Sequence, residues 1–291
     1  MTIIKNIMNI LYMIPKDVCI IIKRYYDDYN SCEFVDMYDI SHKITLTSTG
    51  CLLNRKIYIV GYDLSGMGKI IVYDIEKKKF ETNSFINYSY IKMEIHNKKI
   101  YILSSIGIIS CDLDLNNLCH IKYNNHDNTI RDFTICNNYF YYMYCNRNNI
   151  YVFDRKKENI FCKTNNNLED FCIYDDYLYK TISSQNSINI ERINIKNGKT
   201  KIILLTDLYN TEYEIFLCKK LIINKFNIYL LMREDILCCF NLFGKLNYKI
   251  NIHEVLKEHS FGFVSSPNDI IIDAQYIYIL IRGIIFELRQ Y

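Results

Sequence analysis

The chain has 291 residues, with 35 Lys and Arg against 32 Asp and Glu, a formal net charge of +3, and half of its residues are hydrophobic. That balance excludes a chain basic throughout, and no run approaches the ~18 consecutive apolar residues of a membrane-spanning helix. Twelve cysteines, several inside apolar runs (Cys111, Cys136, Cys172, Cys218, Cys238), fit reduced, buried thiols better than a disulfide scaffold, so a soluble, intracellular, cytoplasmic protein is expected.

At the N-terminus, the apolar stretch from Ile7 to Ile14 contains Asn9 and runs straight into Pro15-Lys16-Asp17. It has no small-residue cleavage site and does not read as a secretory signal. After Pro15, apolar residues fall at Val18, Ile21, Ile22, Tyr25, Tyr26 and Tyr29. This three-and-four spacing predicts one face of a helix. Pro15 suits its first turn and Asp17 the positive end of its dipole. Residues 1–31 are therefore expected as a short helical segment, and 32–291 as a separate strand-rich domain.

From about residue 44 the hydrophobic period changes to two. An apolar-Tyr-apolar core followed by an apolar run ending in a carboxylate or Asn recurs six times, centred on Tyr58, Tyr101, Tyr141, Tyr179, Tyr229 and Tyr278. These tyrosines span 220 positions in five steps, a mean of 44. A period near 40 to 50 with several short strands per unit predicts a radial β-propeller. The second unit parses as strands over Ile91–Ile95, Lys99–Leu103, Ile108–Leu113 and Cys119–Tyr123, with tight turns at Asn97, Asn137-Asn138, Asp175-Asp176 and Asn227. The expected fold class is all-β: a six-bladed β-propeller in which alternation buries one side chain in two between blades.

The sixth unit ends early. After a third strand over Gly283–Leu288 only Arg289, Gln290 and Tyr291 remain. An open blade edge would expose unpaired backbone groups. The alternating segment Glu33–Tyr38 is the spare strand, and ring closure by this N-terminal strand is predicted.

Local chemical motifs are scarce. Gly61–Lys69 lacks the spacing of a phosphate loop and sits inside a hairpin. His253 and His259 are six apart, the wrong separation for two zinc ligands on one helical face. Cys238 and Cys239 face opposite sides of a strand. No catalytic residue, cofactor or metal site is assigned, and no carboxylate pair is placed close enough to act together.

In period and strand pattern, residues 33 to 291 resemble kelch-like and WD-like repeat propellers, without the paired glycines of the first or the Gly-His and Trp-Asp landmarks of the second. Ile14-Pro15-Lys16-Asp17-Val18-Cys19-Ile20-Ile21-Ile22-Lys23-Arg24-Tyr25-Tyr26 resembles the opening of an F-box. That resemblance implies that Pro15, Asp17, Val18, Ile22 and Tyr26 contact an adaptor of a ubiquitin ligase. The later helices of an F-box are absent from the next residues, and the alternative is a helix that caps the propeller or packs on its outer strand. The combination is similar to proteins encoded in multiple copies by large A+T-rich DNA viruses, which would place the chain in host-cell cytoplasm.

Function is read as a non-enzymatic protein–protein interaction propeller, a substrate-recognition or scaffold subunit linked to a ligase adaptor. Partner-binding anchors are expected in the long loops, at Tyr209, Tyr213, His259 and Phe261. Lysine-rich turns gather on the opposite face, at Lys77, Lys78, Lys79, Arg155, Lys156 and Lys157. There they attract an acidic partner or nucleic acid, or merely keep strand edges soluble. A hydrolase or lyase at the central channel is the alternative, and nucleic-acid contact through the basic face the second.

Overall fold

Runs rich in Ile, Tyr, Val and Phe, cut by Asn, Asp, Lys and Gly, form twenty-four strands among the described residues. The structure is a computed structural model that describes residues 32–39, 46–62, 65, 68–86, 90–123, 129–145, 149–153, 158–163, 170–184, 187–206, 218–232, 235–252, 254, 267–273, 275–282 and 284–290. The predicted helix and the F-box-like residues Pro15, Asp17, Val18, Ile22 and Tyr26 lie outside them.

Strand β1 is Cys32–Asp39. Blade 1 comprises β2 (Leu46–Leu53), β3 (Lys56–Tyr62), β4 (Gly68–Asp74) and β5 (Lys79–Ile86). Blade 2 is β6 (Tyr90–His96), β7 (Lys99–Ser104), β8 (Gly107–Asp112) and β9 (Cys119–Tyr123), and blade 3 is β10 (Ile130–Cys136), β11 (Tyr139–Tyr144), β12 (Asn149–Phe153) and β13 (Glu158–Lys163). Blade 4 is β14 (Phe171–Tyr174), β15 (Tyr177–Ser184), β16 (Ser187–Asn194) and β17 (Thr200–Leu204). Blade 5 is β18 (Cys218–Ile223), β19 (Asn227–Met232), β20 (Ile236–Asn241) and β21 (Leu246–Asn251). The last strands are β22 (Asp269–Ile272), β23 (Tyr276–Ile281) and β24 (Ile284–Gln290). Each blade is an antiparallel four-stranded sheet, and the first strand of each sits innermost.

Blade 6 has the strand order β1-β24-β23-β22. Its outer strand therefore comes from the start of the domain, paired from Cys32↔Gln290 to Asp39↔Ile284. The expected closure is present and one residue longer at each end than Glu33–Tyr38. Tyr38 Oη donates to the buried Glu287 at 2.6 Å and its ring lies 4.7 Å from that of Tyr73 in blade 1. The closing strand thus grips two blades.

Turns between first and second strands follow their chemistry. Asn54-Arg55, Asn97-Lys98, Asn137-Asn138 and Asp175-Asp176 all have positive φ, as the two-residue hairpin turns that suit strand twist require. Blade 5 differs. Asn227 is the first residue of β19, not a turn residue, and the turn is Lys225-Phe226, held by Asn224, whose Oδ1 accepts from Phe226 N and Asn227 N.

The core is six clusters, one at each blade junction. Met93 joins the cluster between blades 1 and 2, Phe133 that between 2 and 3, Phe171 that between 3 and 4, Leu221 that between 4 and 5, and Ile270 that between 5 and 6. Ile57, Ile59 and Tyr278 close the ring between 6 and 1. Burial exceeds one side chain in two: all of Ile57 to Val60 is buried, because an inner strand has a blade on each side. Alternation decides which neighbour each side chain meets.

Candidate functional site

The strongest polar constellation lies on the innermost strands. The residue just before the buried junction-facing position of each first strand is Thr49 (before Gly50), Lys92 (before Met93), Asp132 (before Phe133), Asp170 (before Phe171), Lys220 (before Leu221) and Asp269 (before Ile270). They occupy equivalent registers, opposite Val60, Leu103, Met143, Thr181, Leu231 and Leu280 of the second strands. In blades 1, 2, 3 and 5 a β-bulge falls immediately before the position. A bulge adds one residue and re-aims the side chains after it; Lys92, Asp170, Lys220 and Asp269 bond to the next blade, whereas Thr49 bonds back to Asp269 of the previous one.

Together they form a polar girdle that joins the blades. The inner edge of an innermost strand carries backbone groups without a strand partner, and the girdle supplies one. Asp269 Oδ2 accepts from Thr49 Oγ1 at 2.7 Å and Gly50 N at 3.0 Å, linking blade 6 to blade 1. Lys220 Nζ donates to Asp269 Oδ1 and to Ile270 O, linking 5 to 6. Leu221 N donates to Asp170 Oδ2 at 2.5 Å, linking 4 to 5. Lys92 Nζ donates to Asp132 Oδ1 at 2.7 Å, and Glu94 Oε2 accepts from Ile135 N at 3.0 Å and Thr134 Oγ1 at 3.2 Å, linking 2 to 3. Cys51 Sγ donates to Met93 O at 3.0 Å, linking 1 to 2. Asp170 lies against Asp132 across the remaining junction, near enough for the Asp132 charge to raise it.

Two lysines face four carboxyl groups, a surplus of two acids in a buried ring. Protonation offsets it. Burial pushes Glu94 up to about 7, with Asp132 adding to the shift and Lys92 opposing it. Burial, then the neighbouring Asp132 charge, holds Asp170 well above the usual carboxylate range. For Lys92 burial works against the charge, but Asp132, Asp170 and Glu94 outweigh it and keep the ammonium protonated. Burial also pushes the Cys51 thiol up to about 12 and raises Cys172, so neither is a thiolate nucleophile near neutral pH. Among the described residues no three His, Cys, Asp or Glu are placed to hold a metal ion.

Sequence reasoning misses this ring, and the expectation that no carboxylate pair comes close is corrected by Asp132 and Asp170. The signal is present: a polar residue before the apolar residue of every first strand, spaced 43, 40, 38, 50 and 49 apart. Only superposed repeats expose it, since no local window holds two members.

The expected anchors Tyr209, Tyr213, His259 and Phe261 lie outside the described residues, as do Arg155, Lys156 and Lys157. Lys77, Lys78 and Lys79 are exposed at the turn after β4. Two are engaged: Lys77 pairs with Asp74 at 3.3 Å, and the Lys78 ammonium sits 6.0 Å above the Tyr38 ring. The same face carries the large exposed apolar side chains Phe226 and Phe243, at 63% and 86% exposure. As expected for core positions, Cys111, Cys218 and Cys238 are buried free thiols, whereas Cys136 and Cys172 are half-buried.

No protein-family model and no curated protein sequence matches the chain. Among solved structures, the chain is similar to regucalcin from Agrobacterium tumefaciens strain C58, described as a calcium-binding protein, at 11% identity and TM-score 0.59 over 88% of this chain and 94% of that one. It is also similar to a chain of the mitotic checkpoint complex, at 8% identity and TM-score 0.58 over 89% and 96%. A chain of the nidogen/laminin complex matches at 13% identity and TM-score 0.52 over 73% and 82%. At such identities the likeness is one of fold, and the fold of this chain is the six-bladed β-propeller.

Proposed function

We propose that this chain is a non-enzymatic protein-interaction propeller, a scaffold or recognition subunit whose ring is a rigid platform for its loops and turns. The observation that carries the reading is the girdle: its charged side chains bond to neighbouring blades and to their backbone edges, which ties the ring together. Chains of similar fold in protein assemblies support it. The finer reading gives residues 1–31 the adaptor contact through Pro15, Asp17, Val18, Ile22 and Tyr26, in a cytoplasmic ubiquitin ligase, and gives partner recognition to Tyr209, Tyr213, His259 and Phe261.

The test is affinity capture from cells with the intact chain, a chain lacking residues 1–31, and an alanine set at the four loop positions. Loss of a ligase adaptor with the truncation alone, and of a second partner with the loop set alone, is the expected result. Capture that none of these changes alters would overturn the assignment.

One observation favours the enzymatic alternative: burial and the neighbouring Asp132 charge hold Asp170 well above the usual carboxylate range, which gives the ring wall a candidate buried general acid. Turnover of a small ester or glycoside library that disappears in Asp170→Asn with the fold intact would favour that alternative.

A further inference from the structure

The two turns at one corner of blade 5 each carry an exposed phenylalanine, Phe226 and Phe243. At the second position of the first turn, blades 1 to 4 and 6 carry Arg55, Lys98, Asn138, Asp176 and Gln275, and blade 5 carries Phe226. In the turn between third and fourth strands, blade 4 presents Lys196, whose N donates to Asn194 Oδ1 at 3.0 Å. Blade 5 presents Phe243 in the same capped geometry, with its N donating to Asn241 Oδ1 at 2.9 Å. Turn positions favour Gly, Asn and Asp for backbone reasons, so a phenyl ring facing water at both turns of one blade gains nothing from the turn.

The backbones of both turns are held by asparagine caps. Asn227 and Asn241 are directly paired across β19 and β20, so the turns that carry Phe226 and Phe243 meet at one end of that strand pair. Asn241 Oδ1 also accepts from Lys245 N at 3.1 Å. Thr206 N of the segment after β17 donates to Gly244 O at 2.9 Å, fastening the turn to the neighbouring blade. Gly244 has φ +90, and a Cβ there would stand 2.1 Å from Leu204 O. Two aromatic side chains on preorganised turns, offering on the order of 300 Å² of apolar surface, match the anchors of an interface.

Charge selects the partner. Neither turn holds a carboxylate, and Lys225 and Lys245 flank the rings, with Lys225 Nζ 5.4 Å from the Phe226 centroid. Lys199 of the adjacent blade is exposed on the same face. We infer that the blade 5 corner formed by Phe226, Phe243, Lys225 and Lys245 docks an acidic protein segment through one or two of its apolar side chains. Nucleic acid fits less well, because two flanking lysines form no groove to follow a phosphate backbone. The inference rests on the reading as an interaction propeller but uses other residues than Tyr209, Tyr213, His259 and Phe261.

The experiment presents full-length protein to an array of short acidic peptides carrying Leu, Phe or Trp, beside basic peptides with the same apolar residues and acidic peptides without them. Retention confined to the acidic apolar set is expected. It should fall at least tenfold in Phe226→Ser/Phe243→Ser and in Lys225→Glu/Lys245→Glu, and stay unchanged by alanine at Tyr209, Tyr213, His259 and Phe261. Circular dichroism confirms that these surface variants fold. Equal retention of all three sets, no retention by any, indifference to the Phe pair, or displacement by an unstructured oligo-uridylate would overturn the proposal. The loop-dependent capture experiment reads separately, so either surface can fail without the other.

Discussion

Asp269 gathers donors from three blades: Thr49 Oγ1 and Gly50 N from blade 1, Lys220 Nζ from blade 5, and Ile270 N of its own strand. Removing it strands a largely buried ammonium and an edge N–H, and breaking such a pair from one side costs about 3–5 kcal/mol. Asp269→Ala should lose stability on that scale in urea unfolding. Lys196→Ala, which breaks the exposed ion pair with Asp176, should change it by less than about 1 kcal/mol. Equal effects would mean the girdle is ornamental. Glu94 adds a pH signature. Its folded-state pKa, about 7, lies above the ordinary 4.5, so its contribution is fully present below about pH 4.5 and is lost as pH rises through about 7. The protein should lose on the order of 2–3 kcal/mol between about pH 5 and pH 8 from this group, with Asp170 acting in the same direction. Glu94→Gln should flatten the profile and be the more stable form, relative to the parent, at the alkaline end. A parallel offset at both pH values would contradict the assignment.

At the scale of strands and turns, Gly244 is the clearest single point of strain. Its positive φ and its approach to Leu204 O leave no room for a side chain, so Gly244→Ala should cost about 2 kcal/mol or more by thermal melting. Gly198 also has positive φ (+70), but nothing lies within 4 Å of its added Cβ, and Gly198→Ala should cost about 1 kcal/mol. Much at this scale is legible in sequence. The period of two locates β6 to β9 within one residue, and the Asn and Asp pairs mark the tight turns, because both signals are local. The girdle is not legible, for two reasons. Its members are one per repeat and differ in chemistry, so they never form a motif. The bulges before Thr49, Lys92, Asp132 and Lys220 also shift the alternation by one, so a strict two-residue count aims these side chains at the wrong neighbour. The blade 5 turn escapes a sequence reading for a related reason: Asn224 caps a turn whose two central residues, Lys225 and Phe226, are not turn formers.

The described strands form six four-stranded sheets, and among them blade 6 is the one that pairs the first described strand with the last. Closure there depends on β1, which pairs along the full length of β24, and on Tyr38, which bonds Glu287 and packs against Tyr73. The incomplete last repeat and the spare alternating segment make this closure legible, because a ring with an unpaired edge strand is physically incomplete. The girdle then carries the constraint around the inner wall, from Asp269 through Thr49 and on across each junction. On the proposed reading as an interaction propeller, a closed ring would hold its turns in a fixed geometry for a partner. The most direct test compares the thermal melting of the intact chain, a chain lacking residues 1–31 and a chain lacking residues 1–40. If β1 closes the ring, removing 1–31 should shift the midpoint little, and removing 1–40 should lower it by roughly 10 °C or more or abolish the cooperative transition. Equal midpoints for the two truncations would contradict the closed-ring account.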